Sequence, residues 1–103
     1  MFLHIVLLKF NNKADQEFFL TVDAFVKQIQ ATCPGVIVYN FGDNKSNRSN
    51  GYTHATTSVF TTSAQHDAYQ SHPTHQEMKA YMAEYIESMV VYDGEIQKVI
   101  CES

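Results

Sequence analysis

The stretch Phe2-Leu3-His4-Ile5-Val6-Leu7-Leu8-Lys9-Phe10 is apolar on both of its alternating faces. Side chains alternate across a strand, so Leu3, Ile5 and Leu7 fall on one side of a sheet and Phe2, Val6, Leu8 and Phe10 on the other. A strand of this kind needs cover on both sides. A chain of 103 residues has material for one hydrophobic core and not for two. The source of the second cover is therefore the question that this strand poses.

The rest of the chain supplies one layer of cover. After Asn11-Asn12, residues Asp15 to about Ala31 carry Phe18, Phe19, Val22, Phe25, Val26 and Ile29 at helical spacing, and Cys33-Pro34-Gly35 stops that helix. Val36 to Phe41 reads as a second strand, and Gly42 to Gly51 as a polar loop of turn formers. Tyr52 to Thr61 reads as a third strand, rich in Thr and β-branched residues. A short helix is expected from Ser63, as N-cap, to about Tyr69, with His66 on its exposed face. A longer one is expected from about Thr74 to Glu87, burying Met78, Tyr81, Met82, Tyr85 and Ile86, before a last strand from Met89 to about Val99.

This order, β-α-β-β-α-β, is the split unit of ferredoxin-like α+β folds, a single domain over residues 1–103 with a four-stranded antiparallel sheet. Strands one and three sit adjacent at its centre and both helices cover one face. The opposite face would remain bare in a monomer, which the first strand forbids. A second copy packed sheet to sheet, as a homodimeric α/β barrel, is the expected solution.

Composition removes several classes of function. The formal charge is −4 and the seven Lys and Arg are scattered, which argues against nucleic acid as a partner. No stretch reaches the length of a membrane span, and the apolar start, with His4 and Lys9 inside it, lacks a signal-peptide layout. The expected location is the cytoplasm. Cys33 and Cys101 form no recognisable metal motif and are expected to be a reduced pair.

Chemistry is concentrated in Tyr69-Gln70-Ser71-His72-Pro73-Thr74-His75, two imidazoles and a phenol within seven residues. Pro73 disfavours helix at His72, so the chain turns there. Either Thr74 caps the next helix in a capping box with Glu77, or Pro73 is its first residue and His72 the cap. In both cases His75 lies in the first turn, where the helix dipole favours a neutral imidazole suited to general-base work. His4 and His54 interrupt the first and third strands. If the faces agree, one pocket lined by His4, His54, Tyr69 and His75 is expected. No acidic or cysteine ligand joins the histidines at familiar spacing, so neither a metal nor another cofactor is expected.

Three pieces together resemble the stress-responsive dimeric α/β-barrel domain family over essentially the full length: His4 to Phe10, Gly51-Tyr52-Thr53-His54, and Tyr69-x-x-His72-Pro73-x-His75. The resemblance implies a ferredoxin-like protomer and a homodimeric barrel. The chain is also similar to the family's cofactor-free plant polyketide cyclases of the olivetolic acid cyclase kind. That similarity implies His75 as a base acting alpha to a carbonyl, Tyr69 as partner of the substrate oxygen, and His4 and His54 as supporting pocket histidines. Phe18, Phe19, Val22, Phe25 and Val26 would then govern substrate choice. The expected function is binding of a small, largely apolar carbonyl compound. The alternatives are a cyclase- or isomerase-like enzyme using His75 and Tyr69, and a stress-stability protein without a ligand.

Overall fold

The structure is a computed structural model that describes residues 1–97. Its elements are β1 (Phe2–Phe10), α1 (Gln16–Thr32), β2 (Val36–Asp43), β3 (His54–Phe60), α2 (Ser63–Gln70), α3 (Pro73–Met82), a 3-10 turn (Ala83–Tyr85) and β4 (Ile86–Glu95). The strands form one antiparallel sheet in the order β2-β3-β1-β4, the ferredoxin-like arrangement expected from the sequence. The final residues assigned to a strand by pattern, Lys98 and Val99, lie outside the described residues, as does Cys101, and with it any pairing of Cys101 with the buried Cys33.

Local chemistry explains where the elements begin and end. Asp15 caps α1, its carboxylate accepting from the Phe18 amide at 2.9 Å. Thr62, and not Ser63, caps α2, accepting from the Gln65 amide at 3.2 Å. At the corner, His72 caps α3 through Nδ1, which accepts from the Thr74 amide at 3.2 Å, and Pro73 is the first helical residue. The fixed proline φ suits a first helical turn and its missing N–H has no partner to lose there, so the helix starts at Pro73 and no capping box at Thr74 is needed. The helical spacing of Tyr81, Tyr85 and Ile86 overshoots: the helix stops at Met82, and β4 starts at Ile86, three residues before Met89. Pairing with β1 wins here, with Ile86 opposite Phe10 and the Asn11 amide donating to the Tyr85 carbonyl at 2.9 Å.

Gly35, in the turn between α1 and β2, has φ +76°, and its carbonyl accepts from the Thr61 amide at 2.9 Å. A Cβ built there would lie 2.5 Å from the Gln65 side chain on α2. The glycine is thus required twice, for its left-handed backbone and for the close approach of α2.

All three helices lie on one face of the sheet. Phe18, Val22 and Ile29 of α1 and Phe60 of β3 are fully buried, in one core cluster with Leu8, Tyr39 and Met78. On the opposite face the pairing registers align Leu3, Ile5 and Leu7 of β1 with Val59, Thr57 and Ala55 of β3 and with Gly94, Tyr92 and Val90 of β4. Val90, Tyr92 and Val38 are each about half exposed. No helix among the described residues is long and apolar enough to cross a membrane.

Truncating the core at its tightest point tests this packing. Phe60→Ala is expected to lower the stability of the fold by about 3–5 kcal/mol, read as a reduced midpoint in urea denaturation followed by circular dichroism.

Candidate functional site

α1 packs against β2 and α3, which leaves the inner face of the edge strand β4 without helical cover beside α3. A cavity of about 570 Å³ occupies this gap. Its apolar walls come from Val6 and Leu8 of β1, Met78 and Met82 of α3, and Ile86, Met89 and Val91 of β4. The polar groups on it are His4, Tyr39, Tyr69, His75 and Asp93, together with Thr56, Gln70, Lys79, Glu87 and Ser88.

Tyr69, in the last turn of α2, and Tyr39, on β2, are buried side by side with their hydroxyls 2.7 Å apart. One phenol donates to the other, so the pair retains one O–H to give to a third group. Burial pushes the Tyr39 phenol up to about 12, the bond with Tyr69 opposing this, and moves Tyr69 further in the same direction, so both are protonated at neutral pH. The His75 ring lies against Tyr69, with centroids 4.0 Å apart. His75 Nδ1 donates to the Gln70 carbonyl at 3.4 Å, which leaves the lone pair on Nε2. Among the described residues Nε2 has no hydrogen-bond partner, and His75 lines the cavity. Burial lowers the His75 pKa to about 4, opposed by the bond to Gln70 and assisted by the charges of Lys79, His4 and His66. His75 is therefore a neutral, accepting imidazole beside a phenolic donor.

His4 stands on the same helix-facing side of the sheet and is buried. Its cross-strand partner is Asp93, whose carboxylate accepts from His4 Nδ1. Above them lies His66 of α2, with ring centroids 4.5 Å from His4 and 4.8 Å from Phe2. His66 is 5 % exposed, contrary to the expectation that it faces solvent. The spacing carried the signal: His66 and Tyr69 are three apart on one helix, so the face that buries one buries the other.

His54 does not join the cavity. It shares the helix-facing side with His4, but β3 runs antiparallel to β1, and His4 pairs with Ser58 while His54 pairs with Leu8. Four residues of strand, ~13 Å, separate the two imidazoles. His54 sits instead in a shallower cleft between Phe19 and Phe41, with Nε2 3.1 Å from the Asp43 carboxylate. The pocket of four expected from the sequence is therefore three of those residues, His4, Tyr69 and His75, joined by Tyr39 and Asp93. The α1 residues expected over it are also displaced: Phe18, Val22 and Val26 fill the core, and none of the five lines the cavity, whose walls come from α3 and β4.

Residues 2–96 match the stress responsive A/B barrel domain. No functionally curated protein matches the chain significantly. Among solved structures, a protein of Arabidopsis thaliana superposes with TM-score 0.82 at 20% identity, covering 98% of this chain and 100% of that one. The hydroxynitrile lyase of Passiflora edulis does so with TM-score 0.83 at 21% identity, covering 97% and 96%. A dimeric ferredoxin-like protein of unknown function from Thermobifida fusca gives TM-score 0.80 at 22% identity, covering 92% and 90%.

The protonation state of His75 can be read directly. Its imidazole resonances are expected to titrate near pH 4 in NMR spectra, well below those of an unfolded histidine. The folded state then binds fewer protons than the unfolded state between the two pKa values, so His75 makes stability fall as pH drops from about 6.5 towards 4. In His75→Gln the slope of unfolding free energy across this window is expected to be shallower.

Proposed function

The chain belongs to the stress responsive A/B barrel domain family, and on that footing we propose that it binds a small, largely apolar carbonyl compound and moves a proton on it, with His75 as base and Tyr69 as partner of the carbonyl oxygen. The observation that carries this reading is the contact of a neutral imidazole, with no partner for Nε2 among the described residues, with Tyr69 of a buried phenol pair on a cavity whose apolar walls are methionines and aliphatic residues.

The chemistry follows from those groups. A carbonyl oxygen placed at the tyrosine pair receives the O–H not used between the two phenols. His75 Nε2 takes a proton from the adjacent carbon, and the negative charge that develops on oxygen is held by that phenolic hydrogen bond in a site of low dielectric. The imidazolium then returns its proton to the product. An imidazole with a pKa near 4 is a weak base, so the carbon acid must be an activated one, such as a methylene between two carbonyls. Isomerisation and intramolecular aldol closure both proceed from the resulting enolate. The Passiflora lyase supports the reading only in that a scaffold of this shape carries an enzyme.

A second part of the proposal concerns assembly. The sheet face away from the helices is apolar across β1, β3 and β4, and three structural relatives of this fold are described as dimeric. A homodimer joined through this face buries Leu3, Ile5, Leu7, Val90 and Tyr92 and supplies the second cover that β1 requires.

Hydrogen–deuterium exchange at the central methylene of a small apolar 1,3-diketone, followed by NMR, tests the chemistry. His75→Ala is expected to slow the protein-dependent exchange about 10²–10⁴-fold and Tyr69→Phe about 10²–10³-fold. Protein-dependent exchange that survives His75→Ala unchanged would refute the assignment. For assembly, light scattering is expected to give twice the chain mass for the native protein and a monomer for Tyr92→Glu combined with Ile5→Glu.

A further inference from the structure

We infer that His4, His66 and Asp93 form a binding site for a divalent transition-metal ion of the zinc type, set in the wall of the cavity. The three residues come from three elements: His4 from β1, His66 from α2 and Asp93 from β4. One ligand atom of each lies within 4.8 Å of those of the other two. Zinc holds nitrogen and oxygen ligands at about 2.0–2.2 Å, which spaces tetrahedral ligand atoms about 3.4 Å apart. His66 Nε2 is 4.0 Å from Asp93 Oδ1, so closure onto an ion needs only small side-chain movements.

Hydrogen bonding joins one edge of this triangle and leaves the edge between His66 and Asp93 unbonded. His4 Nδ1 donates to Asp93. His66 Nε2 accepts from the Gln70 side-chain amide at 2.9 Å, so this nitrogen carries its lone pair and not a proton, and it lies 4.0 Å from the Asp93 carboxylate oxygen. A cation bound by all three ligand atoms displaces the proton of His4 Nδ1 and replaces the Gln70 amide as the partner of the His66 Nε2 lone pair. The His66 ring is already held in place by Phe2 on one side and the edge of Phe60 on the other, at 4.8 and 5.2 Å. This is the pre-set orientation that metal-binding histidines need.

Two imidazoles and one carboxylate leave at least one coordination position open, as in catalytic rather than structural zinc sites. His4 and Asp93 line the cavity and His66 lies behind them, so the open position faces the space where a ligand oxygen would sit. This inference stands on the geometry of the three side chains and does not depend on His75 acting as a base.

The test uses the full chain stripped with a chelator and titrated with Co²⁺, followed by its visible absorption, with Zn²⁺ competing in calorimetry. The expected result is one ion per chain in a low-coordinate environment. His66→Ala and Asp93→Asn are each expected to weaken binding at least ~100-fold, whereas His75→Ala, Tyr69→Phe and His72→Ala leave it unchanged. Asp93 stands on an edge strand with its side chain 41 % exposed, so Asp93→Asn keeps the test decisive if the His66 variant fails to fold. Absence of stoichiometric binding, or binding unchanged in Asp93→Asn, would overturn the site. Both readouts are independent of turnover, so loss of metal binding and loss of proton transfer are told apart.

Discussion

β1 is hydrogen bonded along both edges, to β3 on one side and to β4 on the other, and its two registers position nearly everything of chemical interest. His4 is set between Ser58 and Asp93 by these pairings. The Ser58 hydroxyl donates to the His4 carbonyl at 3.0 Å and adds a side-chain tie to the backbone ladder. A slip of one residue would turn His4 to the open face and bring Ile5 into the cavity. The alternation of a doubly apolar strand therefore does two jobs. It demands cover on both faces, and it fixes which face the single histidine occupies.

The electrostatic character of the cavity follows from how little charge is buried in it. The His75 imidazole and both phenols are neutral near pH 7, because burial disfavours their charged forms. The acidic and basic side chains that line it, Lys79, Glu87 and Asp93, are all exposed to water. The polar groups of the cavity thus offer hydrogen-bond donors and lone pairs, and its methionines offer a surface that adapts its shape.

Much of this was legible in the chain. Element order and sheet class follow from periodicity, and the His72-Pro73 corner follows from proline stereochemistry, with one of its two capping arrangements realised. His4, Tyr69 and His75 do line one cavity. What a pattern of faces does not give is distance along a strand, so it groups His54 with His4 although the antiparallel register carries His54 to the other end of the sheet. The same gap hid Asp93, which lies 89 residues from His4 in sequence and directly opposite it in space. Tyr39 was visible as a strand residue of alternating pattern, but its bond to Tyr69 depends on how α2 lies over β2. Local spacing overshoots a helix end where tertiary pairing competes with it, as at Ile86.

The turn at Gly35 has a reach that its distance from the cavity hides. α2 carries both His66 and Tyr69, and it lies against the turn so closely that a methyl group on residue 35 would overlap Gln65. The depth at which the phenol and the imidazole hang over the sheet is therefore governed by a missing side chain outside the cavity. A chemist altering this protein would find in residue 35 an adjusting screw for the site, acting through the tilt of one short helix and touching none of the groups that do the work.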